Sequence, residues 1–291
     1  GYAKVAKPLL FRRQPDAAHQ SMLWTARALH AIRGEQLLSG WRYKNPRLEQ
    51  TILGLNFVNP IGLSAGLDKD FDLPSVAKKI GCGFEIGGSV TAMPCEGNPK
   101  PWFRRLASEQ SIVVNVGLAN RGVAKAIEQI RSYSPRVWRD FPLSVSVAKT
   151  NSPKQVRPKQ AIADYCDSLR QLEAAGCAPL YEINISCPNA YGGEPFTTPA
   201  RLKKLLTAVD ELKLSRPVFI KMPTDKTWTQ FAKLLSIIDK HNVAGLTIGN
   251  LVKDRSKLTD PSVLPDDTPG SLSGRPTQAI TTRLIHKTYA L

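Results

Sequence analysis

The 291 residues, 42% hydrophobic and 22% charged, suit one large α/β domain or two ordinary ones and supply the apolar material for a real core. Five cysteines, never spaced as CxxC, and four scattered histidines without an HExxH pattern argue against a disulfide framework or a zinc site and for a reducing compartment. The formal charge of +16 favours an anionic partner or a solvated basic surface; its dispersal, with no arginine-rich arm or RNP-like strand, argues against nucleic acid, and no apolar run reaches the ~18–20 residues of a membrane span.

The chain opens at Gly1, without a methionine or a signal-peptide pattern, so the native N-terminus is expected to lie upstream. Asp16 is placed to cap a helix whose apolar positions Ala18, Met22, Ala26, Leu29 and Ile32 follow three- and four-residue spacing, with Leu23 and Trp24 beside them. Gly34 ends that helix, and a second short segment carries Leu37, Leu38 and Trp41. Residues 1–45 therefore read as two short amphipathic helices, either a docking element or interfacial anchor, or ordinary packing against the main unit.

From Leu48 the pattern alternates. Thr51–Val58, broken at Gly54, reads as a hairpin, Asn59–Ala65 as a strand and Leu73–Ile80 as a helix closed by Gly81. Strand Gly83–Val90, helix Ala124–Tyr133, strand Pro142–Ala148 and helix Ile162–Ala175 follow. Strand Leu180–Ile185, helix Pro199–Leu212, strand Pro217–Met222, helix Thr229–His241, strand Ala244–Gly249 and a helix from Thr277 onward complete the series. Such repeats give a parallel sheet with right-handed crossovers, either a barrel or an open doubly wound sheet.

Polar clusters follow nearly every strand: Gly66-Leu67-Asp68-Lys69, Ser89-Val90-Thr91, Lys149-Thr150-Asn151, Asn184 to Asn189, Lys221 and Gly249-Asn250. Functional groups at every strand end mark a common mouth, the pattern of a (β/α)8 barrel, and no GxGxxG follows the first strand. Six units do not close that barrel, so either two more are expected beyond Leu291 or the fold is not that barrel. In the richest cluster, Cys187 stands between Asn184 and Asn189, just past a strand. A lone cysteine is by default a small buried hydrophobe. A thiol at a strand mouth, flanked by carboxamides that can orient a planar polar ligand, instead suggests proton transfer or nucleophilic chemistry.

Several long motifs, in order, resemble the dihydroorotate dehydrogenases, FMN-containing (β/α)8 barrels of pyrimidine biosynthesis. They are Leu55-Asn56-Phe57-Val58-Asn59-Pro60-Ile61-Gly62-Leu63-Ser64-Ala65-Gly66-Leu67-Asp68-Lys69, Gly88-Ser89-Val90-Thr91, Gly97-Asn98-Pro99-Lys100-Pro101, Asn184-Ile185-Ser186-Cys187-Pro188-Asn189, Ile220-Lys221, Gly249-Asn250 and Leu272-Ser273-Gly274-Arg275-Pro276. The resemblance implies Cys187 as the base that takes the substrate C5 proton, with Lys69, Asn184, Asn189 and Asn250 around the substrate. It implies FMN against Ala65, Gly66, Lys69, Ser89, Ser146, Asn184, Lys221, Gly249 and Gly274. Residues 1–45 resemble the extension of the quinone-dependent branch, which implies a quinone as acceptor and a peripheral seat on the cytoplasmic face of a bacterial membrane, or on the mitochondrial inner membrane. Residues 46–291 would form the FMN-binding barrel, its last two units absent.

Some positions depart from the family pattern. Cysteine at 187 is usual in the soluble branch, whereas serine is usual in the quinone branch. Val114 aligns with a substrate amide, and Asn115, one residue later, is the candidate to replace it. Ser146 stands where an asparagine usually meets the flavin, and Leu251 where a hydroxyl is expected. A soluble fumarate- or NAD-linked enzyme and a cofactor-free remnant therefore stay open as alternatives.

Overall fold

The computed structural model describes residue 4, residues 7–41, residue 43 and residues 45–291. Helix α1 (Lys7–Phe11) and helix α2 (Pro15–Ala31) lead, followed by a 3-10 segment over Gly34–Trp41. The side chain of Trp41, expected among the apolar residues of that segment, lies outside the described residues. Pro15 opens α2, where its fixed φ and missing N–H cost nothing. The expected Asp16 cap is corrected: Gln14 holds the cap position without a side-chain bond. Asp16 instead accepts the backbone N–H groups of Trp102 (3.0 Å) and Phe103 (3.3 Å). A carboxylate expected to serve its own helix thus tethers that helix to the main body.

The hairpin forms as expected. β1 (Gln50–Ile52) pairs antiparallel with β2 (Leu55–Phe57) across Leu53 and Gly54, whose φ angles of 53° and 74° are those of a type I′ turn. Then come β3 (Gly62–Leu63), α3 (Pro74–Ile80), β4 (Phe84–Val90), β5 (Phe103–Leu106) and β6 (Ser111–Val114). The chain continues through α4 (Val123–Ser132), α5 (Pro135–Trp138), β7 (Leu143–Val147), α6 (Pro158–Ala175) and β8 (Leu180–Asn184). It ends with α7 (Pro199–Asp210), β9 (Val218–Met222), α8 (Trp228–Ile238), β10 (Gly245–Ile248), β11 (Ser271–Gly274) and α9 (Arg275–Tyr289).

Among the described residues, β10-β9-β8-β7-β4-β3 form one parallel six-stranded sheet, curled as part of a barrel. The strand expected over Asn59–Ala65 shrinks to Gly62–Leu63. Asn59 competes for the backbone: its carboxamide donates to the Gly81 carbonyl (3.0 Å) and accepts the Ile61 N–H (2.9 Å). Unforeseen was an antiparallel ribbon, β11-β6-β5, in which a distant segment pairs with a local hairpin.

β7 and β8 are buried at every position, as strands covered on both faces must be. Their outer face packs with Tyr165, Leu169, Phe196, Leu202 and Phe231 into the main core, each such side chain stabilising the fold by about 1.5–3 kcal/mol. Their inner face is polar. Ser146 lies opposite Glu182, Asn184 opposite Lys221, and Lys221 opposite Thr247, so β7 to β10 set these side chains on one concave surface. Below them an apolar cavity of about 930 Å3 is lined by Phe57, Phe84, Phe219 and Tyr289.

Candidate active site

Asn184, the last residue of β8, is fixed from behind by the Tyr165 hydroxyl of α6, which donates to its carbonyl (2.7 Å). Its Nδ2 donates to Ser89 Oγ (2.9 Å), at the end of β4, and Ser89 Oγ lies 2.8 Å from Ser146 Oγ on β7. Its Oδ1 accepts the Ser186 N–H (3.2 Å) and Asn250 Nδ2 (3.3 Å). Asn250 is pinned in turn by Thr224, whose hydroxyl accepts its N–H (2.7 Å) and donates to its carbonyl (2.9 Å). A Cβ at Gly249 would lie 2.3 Å from that hydroxyl, so only glycine fits beside Asn250. Four expected site residues, Ser89, Ser146, Asn184 and Asn250, thus form one network across four strand ends.

A second group joins the site to the ribbon. Asn189 donates to the Val114 carbonyl (2.7 Å) and accepts the Ser271 hydroxyl (3.0 Å), so its carboxamide is engaged by β6 and β11. Asn98 donates to the Asn189 carbonyl (3.1 Å) and to Asn115 Oδ1 (3.0 Å). Asn115 is therefore linked to the Cys187 loop through Asn98. Gly274 is not brought in: it lies at the far end of β11 from Ser271, paired with Ser111. Leu251 gives its backbone N–H to Asn250 Oδ1 (2.8 Å) and offers no hydroxyl.

Cys187 opens the loop beyond β8, a free, half-buried thiol. Burial pushes it above the ordinary thiol range, while the Asn189 N–H and the charges of Lys69 and Lys221 oppose that rise. Burial pushes Lys69 below the usual lysine range, against the opposing pull of Cys187 and Asp70. Lys149 is also lowered by burial, with Cys187 among the opposing charges, and its Nζ holds the Tyr191 carbonyl (2.7 Å). Lysines from three strand ends thus surround one thiol, an arrangement that favours its thiolate once a proton leaves.

Asp68, beside Lys69, is buried and accepts the N–H groups of Asp72 (2.8 Å) and Leu73 (2.6 Å), fixing the turn into α3. Neither oxygen of buried Glu85 receives an N–H or O–H donor, and its polar neighbour is the Asp68 carboxyl. Burial raises Glu85 well above the carboxylate range, so it keeps its proton and donates it to Asp68.

Sequence reasoning gave Glu182 no role. Its one legible signal was a lone acid in a strand that is otherwise apolar up to Asn184. The residue is 1% exposed, and its oxygens accept the hydroxyls of Ser146 (2.7 Å) and Thr247 (2.6 Å).

A second cavity, about 710 Å3, lies between α2 and the barrel. Its apolar lining includes Phe11, Ala18, Met22, Leu29 and Leu67, and Arg13, His19, Ser21, Thr25 and Arg105 are its polar members. His19 Nε2–H donates to the Leu67 carbonyl (2.9 Å), in the loop that carries Lys69. The apolar stripe of α2 therefore faces this hollow; Ala26 is buried, whereas Met22 and Ile32 are 38% and 77% exposed.

The dihydroorotate dehydrogenase family profile matches residues 47–291. The chain belongs to the dihydroorotate dehydrogenase family. It is 30% identical over 306 residues to the dihydroorotate dehydrogenase (quinone) of Acaryochloris marina, covering 98% of this chain and 80% of that one. The Gloeobacter violaceus protein of the same name is 32% identical over 291 residues, covering 97% of this chain and 77% of its own. A ligand-free DHODH structure from Eimeria tenella superposes with a TM-score of 0.78 at 25% identity, over 95% of this chain and 79% of that one.

Membership of the dihydroorotate dehydrogenase family implies a flavin, and the strand ends suit one. Gly66 has a φ of 105° and nothing within 4 Å of where a Cβ would stand, so the backbone is open to a flat ring. The hydroxyls, amides and two lysines around it form a donor-rich set, matched to a heteroaromatic with carbonyl edges that gains negative charge on reduction.

Proposed function

We propose that this protein oxidises dihydroorotate to orotate in pyrimidine biosynthesis, with FMN as the bound flavin and a membrane quinone as the final acceptor. The observation that carries the reading is Cys187, a titratable thiol among Lys69, Lys149 and Lys221 at the strand-end mouth. FMN, when bound, supplies the two-electron acceptor. Cys187, as thiolate, takes the C5 proton from the substrate. Lys69 meets the substrate carboxylate, and Asn184 and Asn250 orient the ring through carboxamide edges that both donate and accept. Lys221, Ala65 and Gly66 would help hold the flavin, Lys221 by supplying positive charge against a ring that gains negative charge on reduction and Gly66 by leaving its backbone open.

The cavity beneath α2 fits the apolar acceptor. The same helical extension exposes Trp24, Ile32 and Leu37, apolar groups suited to a lipid interface. Among the described residues no helix is long and apolar enough to cross a membrane, so the proposed seat is peripheral.

Anaerobic mixing of the FMN-loaded protein with dihydroorotate should bleach the flavin, and a short-chain quinone should restore it. Failure to bleach at any substrate concentration would sink the substrate assignment. Reoxidation by fumarate or NAD but not by quinone would place the protein in the soluble branch.

A further inference from the structure

Glu182 stands one inward-facing position below Asn184 on β8, about 6–7 Å deeper along the strand. Its partners are hydroxyls rather than cations: Ser146 from the neighbouring strand β7 and Thr247 from β10, reached across β9. The carboxylate is 1% exposed and sits between the strand ends proposed to carry the flavin and the cavity below them, which it also lines.

The hydrogen bonds above it run in one direction. The Ser146 proton goes to Glu182, so Ser89 must donate to Ser146. Ser89 therefore accepts from Asn184 Nδ2. Three successive donors, Asn184, Ser89 and Ser146, all point down toward the carboxylate. Ser89 is left with only lone pairs to show a ligand, and the charge beneath has no counter-ion within this chain of bonds.

We propose that Glu182 is a tuning residue of the flavin site: its negative charge, with the donor chain it orders, makes the bound flavin harder to reduce than a neutral residue would. The inference rests on the flavin reading of the proposed function. Physically, reduction adds negative charge to the ring, and a nearby fixed anion opposes that addition most strongly where water is excluded.

The test is the two-electron midpoint potential of protein-bound FMN, measured by anaerobic dye equilibration after flavin content is fixed by absorbance. Glu182→Gln keeps the shape and removes the charge. Glu182→Val, a good strand former, removes the charge without leaving an amide to satisfy. Both should favour the reduced flavin at least tenfold relative to wild type, a rise of about 30 mV for a two-electron couple. Thr247→Val, which removes one donor and leaves the charge, should shift the equilibrium by less than either. Unchanged potentials in both Glu182 variants overturn this inference while leaving the flavin reading intact. So does a Thr247→Val rise as large as theirs, which would trace the effect to packing. Wild-type protein that takes up no FMN overturns both readings together.

Discussion

Cys187 holds a proton more tightly than a free thiol because burial outweighs the three lysines and the backbone N–H that favour its thiolate. In the proposed reaction the base is its deprotonated form, so raising the pKa depletes that form at neutral pH. Flavin reduction by dihydroorotate should therefore climb with pH past the ordinary thiol range of about 8.5, as followed by stopped-flow bleaching. Cys187→Ala should slow that step roughly 10²–10⁴-fold with substrate affinity changed far less. Cys187→Ser should keep part of the rate and move its rise to higher pH, because a hydroxyl is harder to deprotonate. An alanine variant that bleaches at the wild-type rate across this range would make Cys187 a bystander. Glu85 offers a stability test of the same kind. Its folded-state pKa is raised, so the buried proton it shares with Asp68 stabilises the fold fully below the unfolded value near ~4.3, and that contribution is lost as pH rises toward the folded value. Glu85→Gln carries a permanent donor to Asp68. Its denaturation midpoint should match wild type near the unfolded pKa and exceed it increasingly as pH rises to neutrality and beyond. A pH-independent difference would show that Glu85 is not the protonated partner.

At the scale of elements, α2 and the ribbon β5–β6 are joined by one carboxylate. Asp16 satisfies two backbone N–H groups that precede and open β5, and α2 also buries Leu23 and Ala26 against Leu73. Asp16→Ala leaves those donors unmet, at about 1–3 kcal/mol for a buried group and less here, where the site is half-buried. The global fold should survive, because the main core lies elsewhere. Turnover with a long-chain quinone should fall several-fold while flavin reduction by substrate stays near wild type. Equal losses in both half-reactions would show that α2 supports the whole site rather than the acceptor cavity. The sequence could not reveal this tether. An acid in the first turn of a helix reads as a cap or a dipole partner, and its true partners lie 86 and 87 residues away.

For the whole molecule, the charge of +16 and the exposed apolar residues of the extension are the two features that would act together at the proposed membrane surface. The protein should sediment with anionic lipid vesicles at low salt and more weakly at high salt, since basic residues near an anionic leaflet are screened over about 10 Å at 0.1 M. Removing residues 9–45 should abolish that sedimentation, and binding that persists would move the lipid contact to the barrel. The alternation of strands and helices, the polar strand ends and the position of Cys187 were all legible in the chain, because periodicity and local chemistry are written in neighbouring residues. Tertiary structure alone decided what those groups do to each other. It closed Asn189 onto Val114 and Ser271, turned Asn115 toward Asn98, and left Gly274 at the far end of β11. It also gave Glu182 its place under the site, by setting β7, β8 and β10 in register so that two hydroxyls meet one carboxylate. Sequence fixes which side chains alternate on a strand, but which strands face one another is set by the curl of the sheet, and hydrogen bonds across it join residues 36 and 65 positions apart.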